Sequence, residues 1–349
     1  MSHWSKRANI HNDVVFFEYI SADNIVGDSP IFVWDLDKTY LDTHFESLSG
    51  LYRTIMEKAF QKKNVPGTRS LVRALTVRGE SYYPIYFVSA SPPQMEERIL
   101  EKLRYDGIRP YGLFLKDNLK NLKPGRLRRL NQQVGFKLQA LLSLRAKFPF
   151  SIQQILWGDD SESDAVIYSL YSDICARRLP EKSLRKILSH YHVRGEQMAV
   201  IMGLAEKVPE EDPVKRVYIN LATDTDPEYY EKFGFRMLAS YNSFQIALDL
   251  YQRGILNDEQ VKRVTLDLIQ NYGFSEEELA ESYNDLIYRK ILHAETVEKL
   301  DEILKSAAYI PLRHEASEEP ISKEQYDKSF HIHSDDWIPP FIDYLHDFR

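Results

Sequence analysis

The chain holds a single cysteine, Cys175, among its 349 residues. That excludes an intramolecular disulfide framework and a multi-cysteine zinc site, and a reducing compartment is the plain expectation. Cys175 follows a predicted helix with no histidine near it in sequence, which reads as a buried structural thiol. Long apolar runs are also missing: no stretch approaches the roughly 18 residues that a membrane span needs. The opening MSHWSKRANIHNDVVFFEY has neither the apolar core nor the small-residue cleavage site of a secretory signal, so a cytoplasmic protein is expected. Positive charge is in deficit, with 45 Lys and Arg against 52 Asp and Glu. A net charge of −7 argues against nucleic acid as a partner and against attraction to anionic membrane over the whole surface. Any anion-binding surface must be local. The sequence contains no internal repeat and no low-complexity block.

What is present alternates. Short apolar runs at Ile31 to Trp34, Ile85 to Val88, Leu113 to Leu115, Ile155 to Trp157 and Val217 to Leu221 contain no proline. They suit strands buried on both faces of a parallel sheet, with helices between them. Ser91, Pro92 and Pro93 look like a helix start, and Met95, Ile99, Leu100 and Leu103 then share one face. Lys137 is expected to open a helix that continues through Leu138, Leu141, Leu142 and Arg145. Val166, Ile167 and Leu170 mark another, and Phe244 to Arg253 another, closed by Gly254. Ser275 with Glu278 predicts a capping box, and Val297, Leu300, Ile303 and Leu304 an apolar stripe. The expected fold is α/β: a parallel sheet flanked by helices in residues 1–255, with a charged, partly helical insertion at about 180–213. A helical appendage follows at 256–306, and an extended aromatic, acidic tail at 307–349 packs on the body.

Three of the predicted strands end in residues suited to phosphoryl transfer. In open α/β sheets ligands collect at the carboxyl ends of strands, so such endings converge. In IFVWDLDKTYLDT, Asp35 and Asp37 leave the first strand two residues apart. One carboxylate can attack phosphorus while the other protonates the leaving oxygen. Thr39 is expected to bond Asp37 and hold its rotamer. In PIYFVSASPP, Ser89 ends its strand and can donate to a phosphoryl oxygen, beside the backbone N–H groups of the following helix. In ILWGDDSESD, Gly158 is expected to permit a tight turn, and Asp159, Asp160 and Asp164 bring three carboxylates within six positions. Magnesium favours such hard oxygen ligands, one or two carboxylates plus substrate phosphate. A solvated acidic turn is the bland alternative for that segment, and a turn or cap residue the bland one for Ser89. Lys137 supplies an ammonium that offsets repulsion between phosphate and nucleophile.

This order of motifs resembles the signature of the haloacid dehalogenase superfamily, whose core is Rossmann-like. From about Ile31 to Tyr168 the chain further resembles the catalytic domain of the actin-patch-associated phosphatidate phosphatases and their bacterial relatives. The segments that carry this are VPGTRSLVRAL, YFVSASPPQMEERILEKL, GIRPYGLFLKD, FKLQALLSLRAKFP and ILWGDDSESDAVIY. The resemblance implies Asp35 as nucleophile and magnesium ligand, and Asp37 as general acid and base that lends its backbone carbonyl to the metal. It implies Ser89, Lys137 and Thr39 around the phosphate and Asp159 as a further metal ligand. Asp160 and Asp164 would stand behind the ligands, Asp164 orienting the metal's water shell or Lys137. The chain departs from those relatives at Lys38, where a second acid is usual, and at Asp160 and Ser161, where Ser-Gly is usual.

The implied activity is hydrolysis of a phosphomonoester, with phosphatidate-like lipid as the leading substrate class. A phosphoprotein, nucleotide or sugar phosphate is the alternative, and a scaffold with a vestigial phosphatase core the non-enzymatic one. Only 49 residues separate Thr39 from Ser89 and 47 separate Ser89 from Lys137, which leaves no room for a large cap domain and favours bulky substrates. The 180–213 insertion and the C-terminal helices are the competing candidates for closing the site. Lys116, Lys120, Lys123, Arg126, Arg128, Arg129 and Lys137 stand against the single acid Asp117, a local excess that suits an anionic lipid surface or a solvated face. His331 and His333 beside Asp335 and Asp336 suggest a second metal site by spacing alone, and a polar tail is the stronger reading. Trp337, Phe341, Tyr344 and Phe348 are expected to pin that tail. Oligomeric state is left open.

Overall fold

The computed structural model describes residues 3–25, 29–42, 63–76, 83–117, 131–148, 151–161, 163–221, 225–308, 320–330 and 339–346. These form a mixed α/β fold on an eight-stranded, mostly parallel sheet: β1 (Asn9–His11), β2 (Val14–Glu18), β3 (Ile31–Asp35), β4 (Ile85–Ser89), β5 (Gly112–Lys116), β6 (Gln154–Asp159), β7 (Val214–Asn220) and β8 (Met237–Ser240). The strand order is β1-β2-β5-β4-β3-β6-β7-β8. Strands β5, β4, β3, β6, β7 and β8 run parallel, and the β1–β2 hairpin joins β5 antiparallel. The chain builds from β3 to β4 and β5 on one side, then crosses back to lay β6, β7 and β8 on the other. That reversal opens a crevice at the carboxyl ends of β3, β4 and β6.

The apolar runs become strands because the sheet is buried on both faces. Side chains alternate across it. Phe32, Trp34, Phe87, Leu113, Leu115, Ile155, Trp157 and Tyr218 enter one core, while Ile31, Val33, Tyr86, Val88, Phe114, Leu156 and Ile219 enter the other. The first core is covered by α1 (Thr68–Leu75), α2 (Glu96–Tyr105), α7 (Ser243–Gln252), α8 (Asp258–Tyr272), α9 (Glu276–Tyr288) and α10 (Ala294–Ala308). The second is covered by α3 (Asn131–Arg145), α4 (Asp164–Cys175), α5 (Glu181–His190) and α6 (Gly195–Lys207). Helices α8 to α10, expected as an appendage, thus share a continuous core with the sheet. Cys175 ends α4 and is buried, and burial pushes its thiol up to about 12.

Several expectations need correction. Lys137 does not open a helix: α3 begins at Asn131 and carries Lys137 in its interior. Strands β2 and β8 and the β1 edge add to the five strands that the sequence predicts. Ser91 is not a helix cap. Pro92 occupies that position before a short 3-10 turn, Pro93–Met95, and α2 starts only at Glu96. In the tail, α11 (Lys323–Phe330) is helical rather than extended. Tyr344 is buried, donating to Asp173 at 2.6 Å, but Phe341 is 89% exposed and pins nothing. Lys120, Lys123, Arg126, Arg128, Arg129, His331, His333, Asp335, Asp336, Trp337 and Phe348 lie outside the described residues.

Candidate active site

Asp35 is the last residue of β3 and is buried. Its neighbour on β4 is Val88, and on the other side β3 pairs with β6 as far as Trp34 and Trp157. The interior lysine of α3 reaches this point: Lys137 Nζ lies 2.9 Å from Asp35 Oδ1 and 2.5 Å from Asp164 Oδ1. Burial of α3 on nearly every side explains how an ammonium gets there. A buried charge is tolerated only when paired, and here two carboxylates pair it. Lys137 is therefore no part of a lipid-facing basic surface.

Asp164 opens α4, where a carboxylate also complements the helix dipole. Its second oxygen accepts the backbone N–H of Asp159 at 3.2 Å. Gly158 is what lets the two elements meet. It lies within β6 rather than in a turn, and a Cβ there would stand 2.5 Å from the Asp164 Cβ. Asp159 is fully buried, and its Oδ1 accepts from both the amide and the hydroxyl of Ser161. Asp35, Asp159 and Asp164 each present an oxygen within 4.8 Å of the others. Opposed ligands around magnesium are about 4.2 Å apart, so Asp35 and Asp159 are close enough that they could share a hard divalent cation, with Asp164 beside them. Asp160 sits half-buried beside them, its N–H donating to the Asn220 carbonyl at 3.1 Å.

The turn after β3 carries Asp37 and Thr39. Lys38 takes a left-handed conformation, φ 59°, and the chain curls back so that Tyr40 and Leu41 both donate to the Leu36 carbonyl. This curl turns Thr39 toward the strand it left. Its hydroxyl donates to Asp35 Oδ2 at 3.4 Å, not to Asp37 as expected. Asp37 is instead held by Ser89, whose Oγ donates to Asp37 Oδ2 at 3.0 Å. The Ser89 hydroxyl also accepts the Ser91 amide at 3.1 Å. The helix-start anion site expected behind Ser89 is weak for a simple reason: Pro92 and Pro93 have no N–H to offer, and the Ser91 amide is already bonded.

The carboxyl edges of three adjacent strands, with one lysine from the covering helix, thus meet in one buried cluster. Residues 31–188 match the family model for the phosphatidate phosphatase APP1 catalytic domain. This phosphatidate phosphatase-like domain spans β3 to most of α5 and contains Asp35, Asp37, Thr39, Ser89, Lys137, Asp159, Asp160 and Asp164. It covers less than half of the chain, and β7 and β8 lie beyond it. No curated protein and no solved structure matches the chain. No helix among the described residues is long and apolar enough to cross a membrane.

Three further residues adjoin the phosphatidate phosphatase-like domain's cluster that sequence reasoning missed. Tyr168 donates to the Trp157 carbonyl at 2.7 Å, and burial, then the nearby Asp164, hold its phenol far above its usual range. Tyr230 is buried with its phenol raised by burial and then by Asp160. Asn220 ends β7 and donates from Nδ2 to the Lys38 carbonyl at 3.2 Å. Only Asn220 had a legible signal, a polar residue closing an apolar run, the same signal that marks Asp35, Ser89 and Asp159.

Proposed function

We propose that the chain is a magnesium-dependent phosphatase of the haloacid dehalogenase type, acting on phosphatidate-like lipid phosphomonoesters through a phosphorylated Asp35. The family match supports the substrate class, and the sheet reversal with its strand-end motifs supports the Rossmann-like core. The observation that carries the chemistry is the contact of Lys137 with both Asp35 and Asp164, beside buried Asp159.

Asp35, anchored by Lys137 and Thr39, is aimed to attack phosphorus from the end of β3. Asp37, held by Ser89, protonates the leaving glycerol oxygen. It then takes a proton from the water that releases phosphate from the aspartyl intermediate. Lys137 spreads its positive charge over Asp35 and the transferring oxygens. Asp164 receives Lys137 on one oxygen and the Asp159 amide on the other, so it orients Lys137, and Asp35, the Asp37 carbonyl and Asp159 would serve as metal ligands. Magnesium bound there would neutralise phosphoryl charge and orient the in-line attack.

The test is phosphate release from phosphatidate vesicles with magnesium, with a chelator, and with the Asp35→Asn variant. Magnesium-dependent release lost in Asp35→Asn supports the reading. Release that survives Asp35→Asn overturns the mechanism, and preference for soluble sugar phosphates overturns the lipid assignment.

A further inference from the structure

Asn220 contributes no carboxylate to the site, yet it touches both loops on which the site depends. It sits at the end of β7 in register with Asp159 on β6 and Ser240 on β8. Its Nδ2 donates to the Lys38 carbonyl at 3.2 Å, and its own carbonyl accepts the Asp160 amide at 3.1 Å. The turn that carries Asp37 and the turn that follows Asp159 are thereby bolted to one residue.

Lys38 is where such a bolt matters most. A left-handed φ of 59° is costly for a side-chain-bearing residue and persists when its surroundings over-determine it. Within the turn, Lys38 N–H donates to the Leu41 carbonyl at 2.8 Å. The bond from Asn220 fixes the other end of the residue, the Lys38–Thr39 peptide plane, from a different strand. Rotation of that plane would carry Asp37 away from the Ser89 hydroxyl that holds it at 3.0 Å.

We infer that Asn220 is a positioning residue: its side chain locks the strained Lys38 backbone, so fixing Asp37, from a strand whose main chain already holds the Asp160 amide. This rests on the acid–base role given to Asp37 above. Asn220 lies beyond residue 188, outside the matched domain, so the tie comes from the part of the sheet that the family match does not reach.

Two readouts test it. In steady-state phosphate release, Asn220→Ala should lower kcat about 10- to 100-fold with KM within about twofold, the scale of a misplaced catalytic group. Asparagine enters the left-handed region more readily than lysine, so in a Lys38→Asn background the same Asn220→Ala change should cost less than about threefold. Hydrogen exchange needs no activity: in Asn220→Ala, amides of residues 36–42 should exchange faster, while the Asp160 amide, bonded to the Asn220 main-chain carbonyl, should not. Asn220→Ser serves the same purpose if the alanine variant does not fold. An unchanged kcat, an equal loss in both backgrounds, or unchanged exchange in residues 36–42 overturns the inference. If wild type releases no phosphate, or Asp35→Asn still does, the proposed function fails instead, and the exchange result still decides whether the Asn220 side chain holds the Lys38 turn.

Discussion

Lys137 Nζ sits 2.5 Å from Asp164 Oδ1 and 2.9 Å from Asp35 Oδ1, tying the middle of α3 to the first turn of α4 and the end of β3. All three side chains are buried. One ammonium serves two carboxylates, with Asp159 close by, so the cluster leans negative and its stability depends on the lysine. Lys137→Met keeps the length of the side chain and removes the charge. Stranding buried carboxylates costs about 3–5 kcal/mol, and losing a group that stabilises transition-state charge costs about 10²- to 10³-fold in kcat. Chemical denaturation without divalent ions should show the stability loss, and added magnesium should recover part of it. A variant as stable as wild type in chelator would show that the ammonium is not what balances Asp35 and Asp164.

Gly158 offers a separate handle on the same geometry. Its missing side chain leaves the space that Asp164 occupies, with the Asp164 Cβ only 2.5 Å from where a new Cβ would stand. The obstacle is the whole Asp164 side chain, its carboxylate and its root on the helix alike, so turning the tip aside does not relieve it. Gly158→Ala should therefore push the start of α4 outward, at a cost of about 1–3 kcal/mol. Activity should fall with it, since Asp164 could no longer hold Lys137. Paired measurements of melting temperature and phosphate release check this, and a melting temperature equal to wild type would mean that α4 has room to move.

The central strands were legible because strands buried on both faces must be apolar throughout, as IFVW, IYFV and ILW are. The four positions at their carboxyl ends and on α3 were legible as an ordered set, although none stands out alone. The local geometry was not. Helix α3 is buried on most sides, so it has no polar face to mark its start, and Lys137 looked like a first residue rather than an interior one. The partner of Thr39 is not legible because sequence spacing does not reveal that Lys38 bends the chain left-handed and returns the hydroxyl to Asp35. Strand β8 is four residues, MLAS, too short for any periodicity, and β2 is a short apolar run whose Asn12–Asp13 turn joins it only to the three-residue edge β1. Asn220 is obscured because the run VYINL continues past it to the apolar Leu221, which blurs a polar strand end.

Far from the site, β7 is bound to α7 by a buried ionic knot whose pH response can be stated in advance. Arg216 makes two bonds to Asp249, Nε to Oδ2 at 2.9 Å and Nη2 to Oδ1 at 2.8 Å, while Tyr218 and Arg253 donate to Oδ2 at 2.6 and 2.8 Å. Burial pushes the Asp249 carboxyl up, but Arg216 and then Arg253 outweigh it and hold the group below its ordinary 3.8. The unfolded chain therefore binds this proton more readily than the folded one. Stability from Asp249 is fully present above about pH 4 and drains away as pH falls through the lower folded value. Asp249→Asn leaves two arginines facing a neutral amide, which should cost about 3–5 kcal/mol at pH 7. The same substitution should cost less at pH 3, where part of the wild-type contribution has already been lost. Urea denaturation of both proteins at the two pH values tests the sign. If the penalty grows on acidification, Asp249 is not ionised in the native knot, and β7, the strand that carries Asn220 to the site, is anchored by something other than this ion pair.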